Sequence, residues 1–290
     1  MQILLNGLIS GGTIALLALA FQIVYLPTRV FFLGLAGIYA LAPFLTFAAL
    51  SAGLSWYFAI GLAVTACALA SLLCGWLNHG LLSRRHASDS AHLIASLGSY
   101  IIVVAAIAMI WGNGSMTLRR EIGSTTRLGG SMVVTGAQWI SLGVSSGLLL
   151  AFAAILLRSD LGLRLRALAD NPTMFALLGY NVSRHRVIAF TASGILAAAA
   201  SLVSAYDLSF DPHSGLRALL LAIVAVIIGG QASFFGPVVG AVLLGVLRAQ
   251  VVWYFSARWQ EAATFCLLAL FLLLRPQGLF VKRKRLEATA

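Results

Sequence analysis

The chain alternates long apolar runs with short polar breaks. The runs occupy residues 3–26, 30–50, 55–79, 91–112, 137–157, 187–206, 217–235, 237–255 and 259–275. An α-helix needs about 20 apolar residues to cross a bilayer core, and these runs are near that length. None shows the sustained apolar–polar alternation of a transmembrane barrel strand. The pattern predicts an all-α integral membrane protein, a polytopic bundle of eight or nine transmembrane or re-entrant helices. The count turns on 217–255, where Gly229-Gly230 and Gly236-Pro237 interrupt one hydrophobic stretch. Two crossings, or a single hairpin-like excursion, both satisfy that stretch.

Composition narrows the class further. Hydrophobic residues make up 61% of the chain and charged ones 9%, against about 45–50% and about 25% in soluble domains. A soluble fold with this composition has too few polar groups to cover its surface, and a disordered chain would not carry so much apolar bulk. The net charge of +11 would suggest nucleic acid in a soluble protein. Here the basic residues sit in short loops between apolar runs, so they point to orientation in a lipid membrane and exclude a nucleic-acid partner. If 158–186 faces the cytoplasm, that side also holds Arg29, Arg84, Arg85, Arg275 and the tail Lys282-Arg283-Lys284-Arg285. It then carries thirteen Lys and Arg against six on the other side. The positive-inside rule places the N-terminus outside and the C-terminus, with a basic tail over 276–290, in the cytoplasm.

Several chemistries drop out. No GxxxxGK[ST] phosphate loop occurs, so the chain has no ATP hydrolysis by that route and no bound cofactor is expected. Cys67, Cys74 and Cys266 are odd in number and lack metal-ligand spacing, which argues against a disulfide framework or a metal site. The five histidines read as solvated or interfacial. The start of the chain lacks a basic region and a small-residue cleavage site, so 1–26 reads as a retained span. No carboxylate falls at mid-membrane, which disfavours an ion-coupled carrier. Tyr206-Asp207 is not followed by GxGD, and no GxSG occurs, which disfavours an intramembrane protease.

The loop 158–186 is the most informative polar stretch. Asn171 and Pro172 form an N-cap and first-turn pair, and Gly179 suits the position after a helix end. Between them lies a helix of about two turns, too short to be stable alone, carrying Met174, Phe175, Leu177 and Leu178. Upstream, Asp160 with Arg164 and Arg166 with Asp170 are i,i+4 pairs on another short helix. Two readings stand: the apolar tip inserts into a groove on a partner, or it packs on its own membrane bundle. Within the spans, Asn6, Ser10 and Thr13 share one face of the first helix, either lining a pathway or bonding to a neighbouring helix. Gly229, Gly230, Ser233 and Gly236 mark a broken helix, which either packs closely or lines a cavity.

Several stretches resemble one family. Gly162, Arg166-Ala167, Asn171, Ala176 and Gly179-Tyr180-Asn181 are similar to the cytoplasmic coupling loop of permease subunits of branched-chain amino acid ABC importers. That family also serves urea and short amides. The segment from Gly229 through Ser233, Gly236 and Pro237 to Gly240 resembles the family's GGxGSxxGPxxG, with Gln231-Ala232 in place of its middle glycine. Asn6-Gly7, Ser10-Gly11-Gly12-Thr13 and Arg275-Pro276-Gln277-Gly278-Leu279-Phe280 resemble its first helix and its close. The polar His that usually opens the second helix is absent from Phe31–Gly37. The resemblance implies one transmembrane permease domain over 1–290 in a bacterial inner membrane, forming the pathway for a small polar solute such as a branched-chain amino acid. It implies a second permease subunit, identical or homologous, two ATP-binding subunits holding ATP and magnesium, and a periplasmic or extracellular solute-binding protein. The coupling residues it implies are Arg164, Arg166, Asp170, Asn171, Pro172, Met174, Phe175, Leu178 and Gly179. Those implied along the pathway are Asn6, Ser10, Thr13, Gly229, Gly230, Ser233 and Gly236. An ion-coupled secondary transporter is the alternative.

Overall fold

The structure is a computed structural model, and it describes residues 2–82, 88–118, 125–128, 132–275 and 278–280. Arg84-Arg85, Pro276-Gln277 and the tail Lys282–Arg285, all named above, lie outside the described residues. Eleven α-helices are present among those described: α1 (Gln2–Thr28), α2 (Gly34–Ser51), α3 (Trp56–Gly75), α4 (Asp89–Trp111), α5 (Gly136–Arg158), α6 (Asp160–Asp170), α7 (Pro172–Leu177), α8 (Val182–Asp207), α9 (Ser214–Gly229), α10 (Gly236–Tyr254) and α11 (Gln260–Leu274). A π-helical turn, Trp76–Leu81, extends α3, and a 3-10 turn, Ala257–Trp259, precedes α11. Between α4 and α5 lies a two-stranded antiparallel ribbon, β1 (Thr125–Leu128) and β2 (Met132–Thr135).

Eight of these helices are long and apolar enough to cross a membrane; α9, with 16 residues, is apolar but shorter. Over 217–255 the chain forms an antiparallel helix pair: Gly229-Gly230 ends α9, Phe234-Phe235 turns the chain, and α10 runs back. Among the described residues, nine helices run between the two faces of the bundle. One face collects the end of α1, α6, α7 and the α9–α10 turn; it is called the tip face below. The far face collects Trp56 with Tyr206, Phe44 with Trp111 and Phe210, and the Arg217–Asp211 ion pair. Gln2 lies beside Trp253 and Gln260 at the far face, and Phe280 bonds to Gly229 at the tip face. The described ends are thus on opposite faces.

Helices α1, α2 and α8 form the interior. Two-thirds of the apolar window of α2 is buried, against 6% for α11. Without a hydrophobic drive between helices in lipid, close packing of small residues holds them together. Gly7 and Gly11 seat α1 on α10: a Cβ at Gly7 would sit 2.6 Å from Val246 Cα, and one at Gly11 would sit 2.9 Å from Val242 Cα. Gly245 of α10 returns the contact against Gly7 and Gly11. Several polar positions inside the bundle find backbone partners, as Ser71 does with Phe190 O at 2.7 Å. Gln22, fully buried in α1, donates through Nε2 to the carbonyls of Gln231 (2.8 Å) and Ser233 (3.0 Å), pinning the α9–α10 turn to α1.

Candidate functional site

At the tip face, the chain leaves α5 and folds back on itself. Ser159 caps α6, its Oγ accepting from Gly162 N at 3.1 Å. A side chain at Gly162 would collide with the Leu156 carbonyl, so this corner requires glycine. Leu165, Leu168 and Ala169 seat α6 on the bundle. Asn171 Oδ1 then accepts from Thr173 N (3.1 Å) and Met174 N (3.0 Å), and Pro172 fills the first helical position. Leu178 N and Gly179 N return to the carbonyls of Met174 and Ala176. Gly179 adopts φ +83°, a left-handed conformation that glycine reaches without penalty. Asn181 opens α8, accepting from Arg184 N at 3.1 Å. The six-residue α7 is therefore closed by side chains or backbone at both ends.

The side chains of α7 divide sharply. Phe175 is 2% exposed. Its ring stacks on Tyr180 and meets His185 edge-on, each at 5.0 Å between centroids. The Arg164 guanidinium covers the other ring of this cluster, 5.3 Å from the Tyr180 centroid. His185 Nδ1 lies 2.9 Å from the Asn181 carbonyl oxygen, which fixes the ring. Two expectations are corrected here. Phe175 is not part of the presented knob, because it turns inward to anchor α7 on α8. Arg164 lies over an aromatic face, and Arg166 donates Nε to Gly162 O at 3.3 Å. His185, and His92 with it, are buried instead of solvated. What α7 presents outward is Met174, Leu177 and Leu178, 59%, 77% and 73% exposed.

The polar face of α1 behaves differently from either sequence reading alone. Asn6 and Ser10 are exposed and Thr13 is half-buried. Ser10 Oγ donates to Asn6 O at 2.9 Å and Thr13 Oγ1 to Ser10 O at 2.9 Å. The hydroxyls are satisfied within their own helix, so they do not tie α1 to a neighbour. Asn6 and Ser10 border an open groove of about 330 Å³ with Trp253 and Gln260 at the far face. The glycines of the broken segment are buried against backbone: one Cβ at Gly236 would sit 2.5 Å from Gly229 O, and one at Gly230 would sit 2.7 Å from Phe280 O. For Gly229, Gly230 and Gly236 close packing is what the structure shows, leaving no room for a solute. Ser233 Oγ accepts from Phe235 N and Gly236 N, and its residue borders a cavity of about 220 Å³ beside Arg166 and Asp170.

One charged residue was counted only as part of a loop: Arg248 lies inside α10. Its Nη1 donates to Thr264 Oγ1 of α11 at 3.0 Å, and it lines a cavity of about 340 Å³ with Arg217 and Glu261. A basic residue six positions before the end of an apolar helix was the signal in the sequence.

Residues 3–274 match the family described as "Branched-chain amino acid transport system / permease component". The chain belongs to this family. Among its curated relatives, the high-affinity branched-chain amino acid transport system permease protein LivH of Salmonella typhimurium is 26% identical over 295 residues, covering 96% of this chain and 94% of that one. BraD of Pseudomonas aeruginosa, described in the same words, is 26% identical over 294 residues, covering 96% and 95%. Neither relative is described as an ion-coupled carrier. Among solved structures, PsaBC from Streptococcus pneumoniae, in complex with Fab, superposes with a TM-score of 0.52 at 12% identity, covering 96% of this chain and 93% of that one. That likeness speaks for the fold of the permease bundle alone. As a permease-family member, this chain is a transmembrane transport subunit of an ABC importer.

Proposed function

We propose that this permease works as the non-catalytic membrane subunit of an ATP-driven importer of amino acids, branched-chain ones foremost, in a bacterial inner membrane. The amino-acid reading rests on LivH and BraD, which align along nearly the whole chain. Two ATP-binding subunits, carrying ATP and magnesium, dock at the tip face. A second permease subunit, identical or homologous, completes the pathway, and a solute-binding protein delivers cargo to the far face. The tip face is cytoplasmic and Gln2 is outside; the excess of Lys and Arg favours this orientation.

The observation that carries the reading is the exposed apolar triad of α7. Met174, Leu177 and Leu178 stand on a helix whose own anchor is already buried, at a bundle end flanked by arginines. Large apolar side chains at that location fit the groove of a protein partner better than lipid or water. The exposed Asn6 and Ser10 of α1 fit a polar pathway shared with the second permease.

The test is co-purification. Leu177→Asp and Leu178→Asp should abolish recovery of the ATP-binding subunits while leaving the permease folded, as judged by its elution profile. Full recovery with both substitutions would overturn the docking assignment.

A further inference from the structure

The polar cavity around Arg248 has features that packing does not explain. Arg248 lies within α10, a helix apolar enough to cross a membrane. Its described hydrogen bond goes to Thr264 Oγ1, a neutral hydroxyl that itself donates to Gln260 O at 2.7 Å. The ion pair found among the described residues is Arg217 with Asp211, at 2.7 Å. Arg248 thus keeps a fork of N–H donors without a carboxylate within 4.0 Å among the described residues. Glu261, in the same cavity, acts on Arg248 through charge without closing an ion pair within 4.0 Å, and half-buried cations within a membrane span mark solute pathways.

The rest of the wall tells which anion. Ser201, Ser204 and the Tyr39 hydroxyl form a neutral polar side. Glu261 supplies a carboxylate at the mouth, and Leu220, Leu221 and Phe265 an apolar side. The volume of about 340 Å³ lies at the small end of ligand sites, which begin at about 300 Å³. Arg217, also on the wall, is already paired with Asp211; the remaining cation, an anion and an apolar wall in one small space match the three parts of an apolar amino acid.

We propose that this cavity is a solute site for a zwitterionic α-amino acid with an apolar side chain, its carboxylate on Arg248, its ammonium at Glu261, and its side chain against Leu220, Leu221 and Phe265. The proposal rests on the importer reading and deepens it by naming the contacts that select the cargo. Guanidinium suits the role because its planar fork binds a carboxylate through two parallel hydrogen bonds, which an ammonium does not reproduce.

The full chain in nanodiscs, with and without its ATP-binding subunits, tests this by equilibrium binding of radiolabelled leucine. The competitors are 4-methylpentanoate, which lacks the ammonium, and 3-methylbutylamine, which lacks the carboxylate. Leucine should compete best and the amine worst. Arg248→Gln should weaken leucine binding by about tenfold or more, as expected for loss of a charge-assisted hydrogen bond, with Arg248→Lys in between. Glu261→Gln, at an exposed position, should reduce leucine's advantage over 4-methylpentanoate without changing the latter's affinity. Leucine binding that is absent from the wild type, or unchanged in Arg248→Gln, would overturn the site. So would leucine binding that is lost on adding anionic lipid to wild-type nanodiscs, because the cavity would then hold a lipid headgroup. Co-purification of the ATP-binding subunits is read on the same preparations: their loss from the wild type counts against the importer reading, whereas intact assembly without leucine binding counts against the site alone.

Discussion

Replacing Phe175 by alanine separates the anchor of the tip from its presented face. The ring is 2% exposed and lies between Tyr180 and His185 at 5.0 Å each. Truncating a phenylalanine buried this fully costs about 3–5 kcal/mol. Helix α7 has six residues and no independent stability, and its Asn171 cap contributes about 1 kcal/mol. The loss therefore exceeds what the caps retain, and Phe175→Ala detaches α7 while the nine-helix bundle stays folded. Reordering the freed segment on binding should weaken ATP-binding subunit affinity by about 2 kcal/mol or more, roughly thirtyfold. Leu177→Ala, at a side chain 77% exposed, should weaken the same affinity to a similar degree through the interface alone. Amide hydrogen exchange tells the two apart. The N–H groups of Leu178, Gly179 and Tyr180, bonded to Met174, Ala176 and Phe175, should lose protection in Phe175→Ala and keep it in Leu177→Ala. Wild-type protection and wild-type affinity in Phe175→Ala would refute the anchoring argument.

Three further outcomes follow from the packing. Gly7→Val places a side chain where Cβ already meets Val246 Cα at 2.6 Å; overpacking of about 1–3 kcal/mol or more should lower the yield of folded protein in detergent. Gln22→Leu leaves the Gln231 and Ser233 carbonyls without their donor; at about 1–3 kcal/mol the melting temperature should fall measurably. Ser10→Leu, on an exposed face whose hydroxyl bonds only within its own helix, should leave expression intact and impair uptake; normal uptake would remove this face from the pathway.

Much of this architecture was legible because apolar run length and helix punctuation are local properties. Asn171, Pro172 and Gly179 mark the ends of α7 as their side-chain and backbone chemistry requires. The inward turn of Phe175 was not legible: six residues are fewer than two helical turns, too few for periodicity to distinguish a buried face from a presented one. The start of α8 at Val182 also escaped, because Arg184, His185 and Arg186 interrupt the apolar run although the helix continues through them. Arg248 was hidden by charge counting, which assigns a basic residue to whichever loop is nearest. The glycines of the α9–α10 turn were ambiguous in sequence, since close packing and cavity lining demand the same small residues; only their contacts with Phe280 and with each other separate the two.

The central claim is that this permease moves its cargo only when driven through the tip. Liposomes holding the purified chain with its two ATP-binding subunits, a second permease subunit and the solute-binding protein measure it directly. The account predicts ATP-dependent accumulation of leucine, abolished by Leu177→Asp, and no accumulation by the chain alone under a proton or sodium gradient. Gradient-driven accumulation by the chain alone, or ATP-driven transport undiminished by Leu177→Asp, would contradict it.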